Sequence, residues 1–154
     1  MSASNRPEVA EGSADYRRYL AALVLFHQAA ADSVGLSGTD YQASNVLDLD
    51  GPMTSGDLAR RVGLSLGAGS RLVDRLIDAG IARRTPDPQD RRRVLIEHTG
   101  ALPDGLGRTL DAVREPIAAA LASLTPQQRA GVTAYLEAAA DAYGEAARQL
   151  RPAT

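Results

Sequence analysis

Lysine, cysteine and tryptophan are absent from this chain of 154 residues. Without cysteine there is no disulfide framework, no thiolate redox switch and no cysteine-based zinc site. The two histidines, His27 and His98, lie far apart in the sequence, and neither a glycine-rich phosphate loop nor a pair of carboxylates at a catalytic spacing accompanies them. With no nucleophile and base to nominate, we expect that the chain is not an enzyme and that it holds no metal or cofactor.

Long apolar runs are also missing. No stretch approaches the ~20 apolar residues of a membrane span, and the polar residues 1–12 lack the apolar core of a signal peptide. The sequence therefore predicts a cytoplasmic protein with no membrane partner. With 44% hydrophobic residues, the chain is long enough for one small domain and a dimerisation arm.

The basic charge is concentrated in one segment. All 17 basic residues are arginine, which we attribute mainly to genome composition. Residues 54–99 hold nine of these arginines against six acidic residues, whereas the rest of the chain holds eight against 13. A locally basic segment in a protein of net charge −2 is typical of a DNA-binding surface.

The basic segment begins with the signals of two short helices joined by a turn. Thr54 stands three residues before Asp57, which predicts a capping box that begins the first helix. We expect Thr54 and Ser55 to be helix-cap residues close to the DNA. Gly63 supplies a turn because glycine adopts positive φ without strain. Ser65 then caps the second helix. This arrangement predicts a helix-turn-helix.

The second helix has an apolar inward face and a slim outward face. The inward stripe comprises Leu72, Val73, Leu76 and Ile77. Gly69 is in line for a close approach to the first helix, and Gly80 is placed to end the second one. We predict that the outward residues read the major groove, because small side chains permit close approach while serine and arginine reach bases or phosphates. They are Ser65, Leu66, Gly67, Ala68, Ser70 and Arg71, with Arg75 one turn further on.

From residue 81 the apolar pattern changes to a period of two. Residues 81–85 predict a strand, 86–90 a turn and 92–99 a returning strand, which together form a β-hairpin wing. Its tip carries a density of fixed cations that suits the minor groove. The predicted wing contacts are Arg84, Asp90, Arg91, Arg92 and Arg93.

Residues 58–94 resemble the multiple-antibiotic-resistance regulator (MarR) family of winged-helix transcription factors. The matching runs are 58–65, 71–80, 83–84 and 87–94. The resemblance implies a homodimer whose first and last helices interlock, a second helix in the major groove and a wing arginine in the minor groove. In the family's Asp-x-Arg wing motif, Asp90 would orient the tip and Arg92 would insert. Residues 98–105 depart from the family pattern, so we expect an irregular join there.

The flanking segments predict helices. Ser13 opens a helix that closes near Gly35, and Ser37 with Asp40 begins another that runs to about residue 50. Residues 106–124 form a helical apolar seam in which Pro116 predicts a kink, and residues 125–128 begin a last helix with a capping box. Since a two-helix hairpin has too little core to stand alone, we expect these arms to dimerise.

The predicted fold is mainly α (α+β), a winged helix-turn-helix with a two-stranded β wing between helical arms. We assign residues 13–36 to an N-terminal dimerisation helix, 37–99 to the DNA-binding domain and 104–150 to C-terminal dimerisation helices. The partners expected are double-stranded DNA, a second copy of the chain and, by the resemblance, a small aromatic or anionic effector.

Three alternatives stay open at this stage. Arg71 and Arg75 precede Asp74 and Asp78 by three residues, so either arginine can form a helix-surface ion pair instead of contacting DNA. His27 lies on an apolar stripe typical of a core or interface histidine, although with Tyr41 it could line an effector pocket. We expect a homodimeric repressor on a pseudo-palindromic operator; the alternative is a winged-helix scaffold that binds protein and no operator.

Overall fold

The computed structural model describes residues 13–150. Its elements are α1 (Ala14–Asp32), α2 (Gly38–Asp50), α3 (Ser55–Val62), α4 (Leu66–Asp78), β1 (Ala82–Pro86), β2 (Val94–His98), α5 (Leu106–Ala122) and α6 (Pro126–Gln149). The chain divides into two compact units, Met1–Gly107 and Arg108–Thr154. Within the described part of the chain, no helix combines the length and the apolarity needed to cross a membrane.

Hydroxyl side chains begin five of these helices at the predicted positions. The N-caps are Ser13, Ser37, Thr54, Ser65 and Thr125. Complete capping boxes form at the starts of α2 and α6, as predicted. At α3 the backbone N–H of Asp57 donates to the Thr54 hydroxyl over 3.1 Å, and that hydroxyl donates in turn to the Asp57 carboxylate over 2.5 Å. These local bonds satisfy donors that every helix leaves unpaired in its first turn.

The core of the first unit is formed by α2, α3, α4 and the base of the wing. Its largest fully buried side chains include Leu47, Leu58, Leu72, Leu76, Ile81 and Ile96. The loop between α2 and α3 joins this core through Met53, whose N–H donates to the Ile96 carbonyl and whose carbonyl accepts the Ile96 N–H. The core therefore ties the helix-turn-helix directly to β2.

Two glycines fix the path of the chain around α4. Gly69 is buried against α3, where a Cβ added to it would lie 2.4 Å from the Ala59 Cβ and 3.3 Å from the Ala59 Cα. Gly80 has φ of +72° and ends the helix, with the N–H of Gly80 on the Ile77 carbonyl and the N–H of Ile81 on the Leu76 carbonyl. Both roles were predicted, and both are confirmed.

The wing is an antiparallel pair in the register Ala82 opposite His98 through Pro86 opposite Val94. Beyond it, the join at residues 99–105 is irregular, as expected, and Gly100 and Gly105 both have positive φ. The Thr99 hydroxyl lies 2.7 Å from the Gly80 carbonyl oxygen, which holds the start of this join against the end of α4.

The long helices leave large apolar side chains exposed. In α1 these are Tyr19, Leu20, Leu23, Val24 and Leu25. In α5 and α6 they are Ile117, Leu121, Tyr135, Leu136 and Tyr143. Helix α5 remains helical past Pro116 up to Ala122, and the kink there stays a prediction.

The Gly69 contact predicts a large stability difference between two neighbouring glycines. Gly69→Ala should lower the free energy of unfolding by about 1–3 kcal/mol, because the added methyl meets the backbone of α3. Gly67→Ala should raise it by up to about 1 kcal/mol, because Gly67 is exposed and alanine favours a helix. Urea unfolding of both variants measures these changes. Equal stability of the two variants would contradict the close approach.

Candidate nucleic-acid interface

The outward face of α4 is slim and solvent-exposed at its amino end. Leu66 is 67% exposed, and Ser65, Gly67, Ser70 and Arg71 are exposed as well. The Ser65 hydroxyl caps the helix by accepting the N–H of Ala68. Opposite this face, the predicted inward stripe is buried except for the half-buried Ile77. Ala68, predicted on the outward face, is half-buried; the other outward residues predicted in the first two turns are exposed.

The nine arginines of residues 54–99 fall into two groups. Six of them form ion pairs within the domain: Arg60, Arg61, Arg75, Arg83, Arg84 and Arg93. Within residues 13–150, Arg71, Arg91 and Arg92 have no acidic partner. These three exposed cations, which we call the open arginines, are the ones available to an anionic partner.

Arg71 is open because Asp74, the carboxylate with which it could have paired, binds another arginine. The Asp74 carboxylate, three residues further along α4, instead accepts a hydrogen bond of 2.7 Å from Arg84 on β1. This ion pair links the wing to the outer side of α4. The alternative in which Arg71 pairs with Asp74 is therefore wrong, and the predicted DNA contact of Arg84 has no support from the geometry.

Arg75 is held by a carboxylate that sequence spacing did not suggest. Its Nη2 lies 2.6 Å from Asp40 Oδ1 and its Nε lies 3.0 Å from Asp40 Oδ2, a bidentate pair between α4 and the first turn of α2. The alternative in which Arg75 pairs with Asp78 is therefore wrong. Because the guanidinium is committed to Asp40, Arg75 orients α4, and its predicted contact with DNA lacks support.

Asp40 is almost fully buried, with 2% of its surface exposed. Its carboxylate also accepts the Ser37 N–H, which completes the capping box of α2. Burial opposes ionisation, but the hydrogen bonds from Arg75 and Ser37 outweigh it, so the pKa of Asp40 lies below its usual value of 3.8. A charged clamp therefore joins α2 to α4.

The wing tip is shaped by Asp90. Its carboxylate accepts the N–H of Arg92 over 3.0 Å, and its carbonyl accepts the N–H of Arg93 over 2.9 Å. Arg93 turns back toward the largely buried Asp87, at 3.8 Å, whereas Arg91 and Arg92 stay open. An Asx turn of this kind fixes the backbone of the tip, which fits the orienting role expected of Asp90.

The other predicted residues near this surface are Thr54 and Ser55. Thr54 caps α3, and the Ser55 carbonyl lies at the crossing of α3 with α4, 3.5 Å from the position of a Cβ on Gly69. The hydrogen bond from Thr54, together with the charge of Arg60, outweighs partial burial and lowers the pKa of Asp57 below 3.8. Both residues therefore build the start of α3.

His27 and Tyr41 line one cavity between α1 and α2, about 210 Å³ in volume. Their ring centroids are 5.5 Å apart. The remaining lining residues are Leu23, Val24, Gln28, Gly38 and Gln42. His27 Nδ1 lies 2.8 Å from the Leu23 carbonyl oxygen, so this nitrogen carries the proton and donates. The juxtaposition expected of these two side chains is present.

His98 has a structural environment that the sequence did not reveal. Its Nδ1 accepts the N–H of Gly100 over 3.0 Å, which leaves the proton on Nε2 to be donated to the Ser44 hydroxyl over 3.1 Å. The side chain thereby joins α2 to the irregular join after β2. Within residues 13–150, no cluster of three or more His, Cys, Asp or Glu side chains is arranged to hold a metal ion.

Comparison with known proteins gives a family match over the region that contains α2, α3, α4 and β1. The sequence model of the MarR family matches residues 34–93. An uncharacterised HTH-type transcriptional regulator of Bacillus subtilis, YcgE, is 49% identical over 81 residues, which are 53% of this chain and 53% of that protein. The chain thus matches about half the length of this curated relative.

Solved structures extend the likeness over most of the chain. The structure of RV1404 from Mycobacterium tuberculosis is 26% identical with a TM-score of 0.57, covering 88% of this chain and 98% of that one. A MarR-like transcriptional regulator from Thermotoga maritima, tm0816, is 18% identical with a TM-score of 0.59, covering 87% and 98%. The winged-helix architecture is therefore that of MarR-like proteins.

The Asp40 clamp predicts a stability deficit that depends on pH. Because the pKa of Asp40 is lowered, its ionised form stabilises the fold above about pH 3.8, and this contribution is lost as pH falls through the lowered pKa. Asp40→Asn should therefore cost about 1–3 kcal/mol of unfolding free energy near neutral pH and progressively less in acid. Urea unfolding across a pH series measures the difference.

Asp78→Asn is the matched control, because Asp78 is an exposed carboxylate on the same helix as Arg75, three residues further along. It should change stability by less than about 0.5 kcal/mol. A deficit in Asp40→Asn that is equally large in acid and at neutral pH would rule out the charged clamp.

Proposed function

We propose that this chain, whose residues 34–93 match the sequence model of the MarR family, is a transcriptional regulator that binds double-stranded DNA. The observation that carries the proposal is the position of the three open arginines. Arg71 lies on the exposed face of α4, and Arg91 and Arg92 lie at the wing tip, whereas the other arginines of the segment are paired. Cations left without partners at these two places suit a polyanionic ligand.

The two groups of open arginines match the two grooves of a duplex. The amino end of α4 has the small side chains that a helix needs to enter the major groove, and Arg71 can donate two hydrogen bonds to a guanine edge or a phosphate. The wing tip, which Asp90 fixes, carries Arg92 into the minor groove, where the potential is most negative. In this arrangement α4 supplies most of the sequence selectivity and the wing supplies affinity.

We propose that the chain works as a homodimer. Apolar side chains are exposed along α1, α5 and α6, and isolated helices of this kind are stable in water only when such faces are covered. A two-fold dimer would place two copies of α4 about one helical turn of DNA apart, on a pseudo-palindromic operator. From the resemblance to the MarR family we propose a repressor, which would act by occupying a promoter.

The cavity at His27 and Tyr41 is the proposed effector site. Two rings, two aliphatic side chains and two amides line it, and no lysine or arginine does. This lining favours a small aromatic molecule over a strongly anionic one. Calorimetric titration with benzoate, repeated on His27→Ala, tests the site; equal binding by both proteins would argue against it.

The alternative function is a winged-helix scaffold that docks on another protein. The two functions differ in their response to salt, because DNA binding releases counterions from the phosphates. A regulator should select one sequence from a random pool of duplexes and lose affinity steeply as salt rises. A scaffold should bind all duplexes weakly and without selection.

Arg92→Ala should weaken binding to the selected duplex and flatten its salt dependence. The slope of log K against log salt should fall by about 0.9 for each phosphate that the variant no longer neutralises. Fluorescence anisotropy at several salt concentrations measures both effects. Since Arg92 acts from the wing, the decrease in affinity should be similar for related sequences.

Arg18→Ala is the matched control, because it removes the same charge from the exposed surface of α1, where Arg18 pairs only with Asp15. It should leave affinity and slope nearly unchanged. If both variants lose the same affinity, net charge rather than the wing explains binding, and the wing assignment fails.

Leu136→Glu should convert the proposed dimer into a monomer. Leu136 is 52% exposed on the apolar stripe of α6, and a two-fold interface would receive each substitution twice. We expect dissociation to become easier by about 100-fold or more, because the burial of two leucines is removed. Ala138→Glu, on the opposite side of α6, is the control; sedimentation equilibrium should show a dimer for it and for the unaltered chain. A monomeric unaltered chain would contradict the proposal.

A further inference from the structure

Leu66 has an unusual position for a large apolar residue. It is the first residue of α4, and 67% of its surface is exposed. It is also the one large hydrophobic side chain exposed on this helix within the described structure. An exposed leucine at the leading edge of a recognition helix contributes little to the core, which leaves its side chain available to a ligand.

The neighbours of Leu66 leave its outer side uncovered. Its Cδ2 lies 3.4 Å from where a Cβ would stand on Gly56 of α3, so the leucine rests beside backbone that carries no side chain. The next residue, Gly67, also has no side chain. Leu66 therefore projects beyond the rest of the first turn of α4.

The nearby hydroxyl groups already have internal partners. Ser65 Oγ accepts the N–H of Ala68 as the helix cap, and Ser70 Oγ donates to the Leu66 carbonyl over 3.2 Å. Because Ser65 Oγ acts as an acceptor in the cap, its own O–H can still donate; beside that donor, the first turn offers one projecting apolar group, Leu66. Arg71, in the following turn, is the nearest open cation.

Among the base edges in the major groove, the 5-methyl group of thymine is the one apolar feature of unmodified DNA. An aliphatic side chain placed against any other base edge would cover donors or acceptors without replacing their hydrogen bonds, which costs free energy. Placed against thymine, it buries one methyl group against another. Building on the proposed function, we infer that Leu66 is a specificity-determining residue that reads the methyl group of a thymine in each half-site.

Replacing thymine by deoxyuridine tests this inference, because the exchange removes the 5-methyl group and keeps every hydrogen-bonding group. In a duplex selected from a random pool, thymines are replaced one at a time and affinity is measured by anisotropy. At one thymine in each half-site, deoxyuridine should weaken binding by the full-length chain about fourfold, the effect of burying one methyl-sized group. For the Leu66→Ala variant, the same exchange should lower the affinity for the duplex little or not at all.

Leu49→Ala is the matched control, because Leu49 is 82% exposed near the end of α2, outside the recognition helix. It should retain the full sensitivity to deoxyuridine. If the unaltered chain tolerates every exchange, or if Leu66→Ala is as sensitive as the unaltered chain, the inference is overturned while DNA binding stands. If no duplex is selected at all, the proposed function fails and the inference falls with it.

Discussion

The close contact between α3 and α4 at Gly69 is the constraint on which the exposed, outward face of α4 depends. With no Cβ at this position, the two helices approach until Ala59 fills the space that a side chain would need. That approach fixes the rotation of α4 about its axis. Leu72, Val73 and Leu76 are then buried, and Leu66, Gly67 and Arg71 are exposed. A larger residue at Gly69 would separate the helices and disturb both faces together.

Ion pairs then set the position of α4 against its neighbours. Asp40 clamps Arg75 from the side of α2, and Arg84 of the wing reaches Asp74 on the outer side. Composition alone would assign Arg75 and Arg84 to DNA binding, but both form ion pairs within the protein. The electrostatic consequence is a surface with a few open guanidinium groups at two defined places, instead of a uniformly basic patch. In the proposed complex with DNA, fewer unselective phosphate contacts would then compete with base readout.

Local signals in the sequence predicted much of the fold. Caps three residues apart, glycines at turns and the change of apolar period at residue 81 all act within one helical turn or one hairpin, so Thr54, Gly80 and the wing were assigned correctly. The ion pairs were not predicted, because Arg75 and Asp40 are 35 residues apart and no periodic pattern connects them. The pair of Arg84 with Asp74 was not predicted either, and the DNA contact of Arg84 stays a prediction. Spacing along one helix suggested Asp78 for Arg75, but tertiary packing brought a better-buried carboxylate closer.

The central claim is that the outward face of α4 and the wing tip engage one duplex together, from its two grooves. Because the chain has no cysteine, Ser70→Cys and Gln89→Cys can each carry a single iron chelate that cleaves DNA nearby. The most direct measurement is the cleavage pattern of the two conjugates on the selected duplex. The account predicts major-groove cleavage from position 70 and minor-groove cleavage from position 89, within about one helical turn of each other. Cleavage from position 70 alone, or the same groove reached from both positions, would contradict it.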